Sequence, residues 1–419
     1  MFLLFYQKNR DSPGTDPGQT RDRPGTDPQI PQITSNFQKT TTAKTRNRLE
    51  RVQGLSFLVE FFLDWVYYDG MSFSVGIIGL PNVGKSTLFK ALTKIQVGIG
   101  DYPFTTIDPN VGRVRVPDER LEKIAQLIKP EKTTYTVIEF VDIAGLIQGS
   151  HKGEGLGNQF LAHIRNCDAI LQIVRCFESE KAENVLKEIN PEKEIETIKT
   201  ELLMKDLETT ENALVKLEKK LKSEGKSERK EILKKMEALK KIKEGANQGK
   251  SILEIDLTKE EKSAVKEYCF LTQKPIFYLL NTDGKRECAL TKGNYLAINL
   301  KEEEEISEWK EEELKELNLK SQLDQLITAC YNILDLITFY TVTGGKEVRA
   351  WTIKKGASAP EAGGVVHSDF EERFIKAEVI GWKELIETGS WSKAKERGLI
   401  KIVGKDYLVK DGDVIEFKI

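Results

Sequence analysis

From Ser72 onward, apolar positions fall into short runs separated by longer stretches with helical spacing. Val75, Ile77 and Ile78 close up against Gly79, and residues 136–141, 169–174 and 275–280 repeat the pattern. Runs of this length fit strands covered on both faces. Strands alternating with helices predict an α/β domain with a mostly parallel sheet and crossover helices.

Between about residues 194 and 249 the alternation breaks. Ile195, Ile198, Leu202, Leu214, Leu217 and Leu221 recur at helical spacing among Lys and Glu. After a turn at Ser223-Glu-Gly225-Lys, the stripe resumes at Ile232, Met236, Leu239 and Ile242. This predicts an inserted antiparallel helical hairpin, a coiled coil. Its role is open between a partner-docking arm and a solvated decoration. After Asp335 the pattern changes again. Strand-like segments at 338–343, 347–353, 374–380 and 414–418 are separated by turn signals such as Gly344-Gly345. Residues 335–419 therefore read as a compact α+β module, and residues 71–334 as the domain that carries the hairpin.

Residues 1–70 differ from the rest. Five of the 13 prolines precede Asn36, and Pro13-Gly-Thr-Asp-Pro17 recurs as Pro24-Gly-Thr-Asp-Pro28. A segment so poor in apolar periodicity cannot offset its ordering entropy, so it is expected to be disordered. It carries no signal-peptide pattern. Met71 stands directly before the first strand pattern, which favours a translation start there over a natural tail.

The chain has 419 residues, 39% of them hydrophobic and 31% charged, and a net charge of −2. That length suggests more than one domain. The charge excludes coating of nucleic acid by bulk electrostatics, and no DNA partner is expected. Five cysteines without close pairs make no disulfide framework, which fits a reducing cytoplasm. The apolar stretch 55–68 is too short to span a membrane and is interrupted by Glu60 and Asp64, so no membrane partner is expected.

Gly79-Leu-Pro-Asn-Val-Gly84-Lys85-Ser86 matches the phosphate-loop pattern G-x-x-x-x-G-K-[ST] between a strand and a helix. The glycines let the backbone curl, so that N–H groups of Asn82, Val83, Gly84, Lys85, Ser86 and Thr87 face phosphate at a helix N-terminus. Lys85 reaches the β- and γ-phosphates, and the Ser86 hydroxyl ligates Mg²⁺. Asp142, opening Asp142-Ile-Ala-Gly145, is the second Mg²⁺ residue, and the Gly145 N–H is aimed at the γ-phosphate. Between them, Thr105-Thr106 offers a switch threonine over Mg²⁺; Thr106 is favoured. Hydrolysis needs an oriented water, and Leu146 stands where a glutamine commonly does this. Slow hydrolysis follows, or another group takes the task. His151 is one candidate, and Asn82 could hold a K⁺ ion beside the phosphates.

Guanine specificity normally uses N-K-x-D after a strand. Here the element is Asn281-Thr282-Asp283-Gly284, which keeps the asparagine and lacks the final carboxylate. Losing that carboxylate removes most discrimination for guanine. Asn281 could pair with the adenine N6 and N7 edge, and Asp283 could swing in. ATP is favoured, with GTP weaker.

Taken together, residues 71–419 resemble the Obg-like ATPases, in the YchF branch of the translation-factor-class GTPases. The resemblance rests on Gly79-Leu-Pro-Asn-Val-Gly-Lys-Ser-Thr-Leu-Phe89, Asp142-Ile-Ala-Gly-Leu146 and Lys152-Gly-Glu-Gly-Leu-Gly-Asn158. It also rests on Val348-Arg-Ala-Trp-Thr-Ile-Lys-Lys-Gly356, His367-Ser-Asp-Phe370 and Gly404-Lys-Asp-Tyr-Leu-Val-Lys-Asp-Gly-Asp413. The resemblance implies a P-loop nucleotidase with a helical insertion and a C-terminal TGS domain of β-grasp fold. It implies ATP hydrolysis and association with the ribosome, through the large subunit or the whole particle. The leucine after D-x-x-G is a family trait. Gly284 departs from the family's Asn-x-x-Glu, and Thr105 replaces the cysteine that many relatives carry before the switch threonine. The family normally begins where Met71 stands.

Three functions compete. The first is a slow ATPase switch at the ribosome, with Arg349, Lys354 and Lys355 offering an RNA-facing patch or merely a solvated strand face. The second is a binding module that holds nucleotide without turnover. The third is an Obg-type GTPase.

Overall fold

The structure is a computed structural model that describes residues 73–94, 110–143, 163–178, 189–223, 225–285, 288–309 and 321–419, together with 314, 316 and 319. The expected tail 1–70 and Met71 lie outside these residues.

The first sheet has the order β2-β4-β1-β5-β6-β7. Its strands are β1 (Phe73–Ile78), β2 (Val111–Arg115), β4 (Val137–Asp142), β5 (Ala169–Cys176), β6 (Ile276–Thr282) and β7 (Tyr295–Ile298). All neighbours are parallel except β2, which runs antiparallel to β4 at the edge. Every residue of β5 is buried, Gln172 and Arg175 included, as suits a central strand. Helix α1 (Lys85–Lys94) follows β1 and packs Leu88, Ala91 and Leu92 into the core.

Helix α2 (Glu119–Ile128) and strand β3 (Lys132–Thr134) lie between β2 and β4 in the chain. They leave the first sheet. β3 pairs in parallel with a strand of the second sheet, and Leu121 and Ile124 pack in that sheet's core. Asp118 caps α2 by accepting the Arg120 N–H.

Helix α3 (Pro191–Leu221) opens on Asn190, whose side chain accepts the Lys193 N–H, followed by Pro191, Glu192 and Glu194. That is a strong start signal. A turn leads into α4 (Lys226–Asn247). Glu211 and Lys243 meet at 2.8 Å, so the two helices run antiparallel. Ala213, Ala238, Leu239 and Ile242 form their shared apolar seam. At the base, the buried Asp206 carboxylate accepts from Leu271 N at 2.9 Å, Thr272 N at 2.8 Å and Thr272 Oγ1 at 2.7 Å. This fastens the hairpin to the segment leading into β6. Helices α5 (Lys259–Val265), α6 (Leu300–Ile306) and α7 (Leu323–Ile333) complete the domain.

The second sheet has the order β11-β10-β12-β8-β9-β3. Strands β8 (Leu336–Thr343) and β9 (Glu347–Lys354) form a hairpin through Gly344 and Gly345, both at positive φ. Helices α8 (Ala359–Val366) and α9 (Ser368–Glu372) follow, then β10 (Lys376–Gly381), α10 (Trp382–Thr388), α11 (Trp391–Glu396), β11 (Lys401–Val403) and β12 (Asp413–Lys418). β12 lies parallel to β8 and antiparallel to β10, the β-grasp arrangement. One face carries Phe339, Ile353 and Phe417 beneath α8. The other carries Tyr340, Val348 and Ala350 beneath α2, α10 and α11.

Two features depart from the sequence expectation. The stretch between β2 and β4, in the middle of the nucleotide-binding part of the chain, supplies a strand and a helix to the C-terminal sheet. Cys176 and Cys288 form a disulfide across 112 residues, with Cα atoms 6.2 Å apart. The ladder between β5 and β6 ends with Cys176 opposite Thr282, six residues before Cys288. Cysteine spacing along the chain held no sign of that pair. Among the described residues, no helix is long and apolar enough to cross a membrane.

Candidate nucleotide-binding site

Three chain segments meet at the carboxyl ends of β1, β4 and β6, where ligands sit on open α/β sheets. The first is the loop 79–84 between β1 and α1. A Cβ on Gly79 would come within 2.7 Å of the Ile173 carbonyl oxygen, so backbone meets backbone there. Gly84 has φ +108°, a conformation that costs L-residues heavily. A Cβ on Gly84 would also lie 2.5 Å from Asn281 Nδ2. Asn82 is left-handed at φ 63°, which asparagine tolerates better than most residues. Val83 buries its side chain in the core, and Leu88 N bonds to Gly84 O at 3.0 Å as the first turn of α1. Ser86 is exposed and Thr87 half-buried in that turn.

Lys85 folds back over the loop. Its Nζ donates to Gly79 O at 3.0 Å and to Leu80 O at 2.9 Å. Burial lowers the Lys85 pKa, and the charge of Asp142 opposes that shift. Asp142 ends β4 beside β1, in register with Ile77, and its N–H is held by Asn110 O at 2.8 Å. Burial raises the Asp142 pKa, against the pull of Lys85. The carboxylate predicted for the metal therefore lies within electrostatic reach of the phosphate-loop lysine. Ser86 and Asp142 are hard oxygen donors suited to Mg²⁺. Among the described residues there is no group of three or more His, Cys, Asp or Glu that could cage a metal alone. An ion carried mainly by phosphate oxygens, with one or two protein ligands, fits that donor set.

The third segment is the end of β6. Asn281 is 7% exposed, and both of its amide atoms are engaged. Nδ2 donates to the Val83 carbonyl at 2.9 Å, and Oδ1 accepts from Leu300 N at 3.2 Å. The residue ties the phosphate loop to the start of α6. One amide N–H stays available to a base, while accepting from adenine N6 would compete with Leu300. The Thr282 hydroxyl accepts from Gly284 N at 3.1 Å, and Asp283 Oδ1 accepts from Lys285 N at 3.1 Å. Asp283 thus closes its own turn. Gly284 lies at φ +71° with open space where a side chain would stand.

Thr105, Thr106, Gly145, Leu146 and His151 lie outside the described residues. Sequence reasoning missed the double engagement of Asn281. The signal lay in Gly84, whose missing side chain leaves room for that amide.

Comparison with known proteins now decides the family. Ribosome-binding ATPase YchF of Bacillus subtilis (strain 168) is 43% identical over 369 residues, covering 83% of this chain and 99% of that protein. The chain belongs to the YchF family. The YchF proteins of Haemophilus influenzae and Mycoplasma genitalium, also named ribosome-binding ATPases, are 45% and 46% identical over 365 and 369 residues. They are covered to 99% and 98% of their lengths, by 83% and 82% of this chain. The structure of the Schizosaccharomyces pombe YchF GTPase matches with a TM-score of 0.73 at 33% identity, over 83% of this chain and 98% of that one. Residues 74–210 match the family model described as 50S ribosome-binding GTPase. Residues 336–419 match that of the YchF GTPase C-terminal region, described as a protein of unknown function (DUF933). The YchF pattern thus spans both sheets and the excursion that joins them.

Proposed function

We propose that the chain is a slow ATP-hydrolysing switch that acts at the ribosome in the cytoplasm. The observation that carries this reading is the pairing of a loop curled through Gly84 at positive φ with a lysine folded onto it, near a carboxylate on the neighbouring strand. An incoming triphosphate would draw Lys85 off the Gly79 and Leu80 carbonyls and onto its β- and γ-oxygens. The N–H groups of residues 82–87 would cradle the phosphates. Ser86, Asp142 and Thr106 would hold Mg²⁺, which supplies charge neutralisation on the transferring group.

Base preference follows from the far side of the site. Gly284 supplies no carboxylate to guanine, and Asp283 is occupied in its own turn. This favours ATP over GTP. With Leu146 unable to orient water, turnover is expected to be slow; His151 and a K⁺ ion beside Asn82 are the candidates for assistance. The Gly145 N–H would sense the γ-phosphate. Ribosome association rests on the names of the relatives and on the 50S description of the matching family, which points to the large subunit. The GTPase reading keeps support from the printed name of the fission-yeast structure.

Single-turnover hydrolysis of ATP and GTP by the full chain, in K⁺ and in Na⁺, tests the reading. ATP cleaved faster than GTP, and faster in K⁺, supports it. Tight binding with no cleavage of either nucleotide would reduce the chain to a nucleotide-dependent binding module.

A further inference from the structure

The base-recognition turn is tied twice to one residue. At its near end, Thr282 stands opposite Cys176 in the last step of the β5–β6 ladder, one step beyond Arg175 and Asn281. At its far end, the Cys288 sulfur is bonded to the Cys176 sulfur. The stretch from Thr282 to Cys288 is therefore closed at both ends on Cys176, and Asp283 and Gly284 lie inside it. Within it, Thr282 Oγ1 accepts from Gly284 N and Asp283 Oδ1 from Lys285 N, both at 3.1 Å. Opening the S–S bond leaves the turn anchored by the ladder at Thr282 and, three residues past Cys288, by the Thr291 hydroxyl, which donates to Glu192 Oε1 at 2.7 Å.

The cross-link is not what holds the sheet together. Cys288 keeps an apolar seat with Ile195 and Leu290 against the buried Val174 and Leu280, whatever its oxidation state. The sheet also has an extensive core of its own, unlike the small secreted domains that need disulfides to fold. In a reducing cytoplasm, thiols that pair only under oxidation serve as sensors. What this bond adds is order at the base end of the nucleotide site, and a loop ordered in advance binds its ligand more tightly.

The two sulfurs differ in access. Cys176 is 1% exposed and Cys288 is half-buried, so an attacking thiolate reaches Cys288. A bond forms to Cys288 Sγ, the S–S bond breaks, and Cys176 leaves as a thiolate that takes up a proton. The second thiol of a dithiol reductant then displaces Cys288 as a thiol. Two electrons and two protons pass to the pair, and the reductant leaves as its own disulfide. Closure is the reverse exchange, driven by a disulfide oxidant.

We propose that Cys176 and Cys288 form a reversible thiol–disulfide switch that sets the affinity and base preference of the nucleotide site. Closed, it keeps Asp283 in its own turn and favours ATP. Open, it releases the turn, which weakens ATP binding and lets Asp283 reach guanine. The proposal rests on the nucleotide reading above and names the pair that presets its base end.

The test uses the full chain prepared in two states, with excess dithiothreitol and with excess glutathione disulfide. Mass spectrometry of unreduced peptides identifies the linked cysteines. ATP and GTP are then titrated against each state in Mg²⁺. ATP is expected to bind the closed form about three- to tenfold more tightly than the open form, and the ATP-to-GTP preference is expected to fall on reduction. Cys288→Ser is expected to bind like the open form and to ignore the redox state. Cys269→Ser alters an exposed free cysteine and is expected to respond as the unmodified chain does. Equal affinities in the two states would overturn the proposal. So would a redox response that persists in Cys288→Ser, or an oxidised chain that links other cysteines instead. Failure of either nucleotide to bind in either state would overturn the reading of the site itself.

Discussion

The amide of Asn281 joins the phosphate loop to the base-recognition strand: its Nδ2 donates to the Val83 carbonyl at 2.9 Å. Its Oδ1 accepts from Leu300 N, so one buried side chain sets the spacing between the two halves of the nucleotide site. Asn281→Ala leaves both backbone groups without a partner. At about 1–3 kcal/mol for each buried orphan, the loss is roughly 2–6 kcal/mol of stability. Affinity for ATP and GTP is expected to fall together, since the loop itself is displaced. Urea unfolding and nucleotide titration of the variant check both points. A loss confined to ATP would show that the residue only reads the base.

Gly84→Ala tests the other side of the same contact. The added methyl group meets Asn281 Nδ2 at 2.5 Å and must adopt φ +108°. Both effects deform the loop where it should face phosphate. Nucleotide binding is expected to fall at least about a hundredfold, about 2.7 kcal/mol, while the far-ultraviolet circular dichroism stays native.

The C-terminal sheet holds the excursion between β2 and β4 through Tyr340. Its hydroxyl donates to Asp118 at 2.6 Å, and Arg120 bridges Asp118 at 2.9 Å and Asp411 at 2.6 Å. Asp411 also accepts from Thr338 N at 2.9 Å. Tyr340→Phe leaves Asp118 with one donor fewer and is expected to cost about 1–3 kcal/mol. A double-mutant cycle with Asp118→Asn should show coupling above about 0.5 kcal/mol. Additive effects would mean the contact carries no energy of its own.

Glu194 gives a pH signature. It is buried on α3 and accepts from Arg175 N at 3.1 Å. Burial pushes its pKa up to about 6, against the pull of the Arg175 N–H and charge. A raised carboxylate pKa means that the folded state binds the proton more tightly than the unfolded state, whose value is near 4.5. The group's contribution is therefore most favourable below about pH 4.5 and is lost as pH rises through about 6. Above that range the ionised group costs about 2 kcal/mol. Glu194→Gln keeps the acceptor and removes the charge. Its stability relative to the unmodified chain should rise between pH 5 and pH 7.5, by about 1 kcal/mol. A pH-independent difference would contradict the buried charge.

Much of this architecture was legible in the chain. The runs ending at Ile78, Val141, Val174 and Leu280 became β1, β4, β5 and β6, because strands packed into a sheet show themselves as short segments dominated by apolar residues. The hairpin was legible because its stripe runs on over many turns. The phosphate loop was legible because its glycines are required by backbone geometry. Short edge strands were not: β3 has three residues, and its partner β9 lies more than 200 residues away. Pairing over that distance leaves no local pattern. The same holds for Cys176 with Cys288, which are 112 residues apart in the chain. Asn281 was assigned to the base from its motif, yet its bonds run first to Val83 and Leu300. A motif specifies residue types, whereas the partners of a buried amide depend on packing.

The most direct test of the central claim is a side-by-side titration of the full chain with ATP and GTP in Mg²⁺ and K⁺, with Lys85→Ala as the control. ATP is expected to bind at least about tenfold tighter than GTP, about 1.4 kcal/mol, with both lost in the control. GTP binding tighter than ATP would show that Asp283 leaves its turn to read guanine, and would contradict the assignment of this site to ATP.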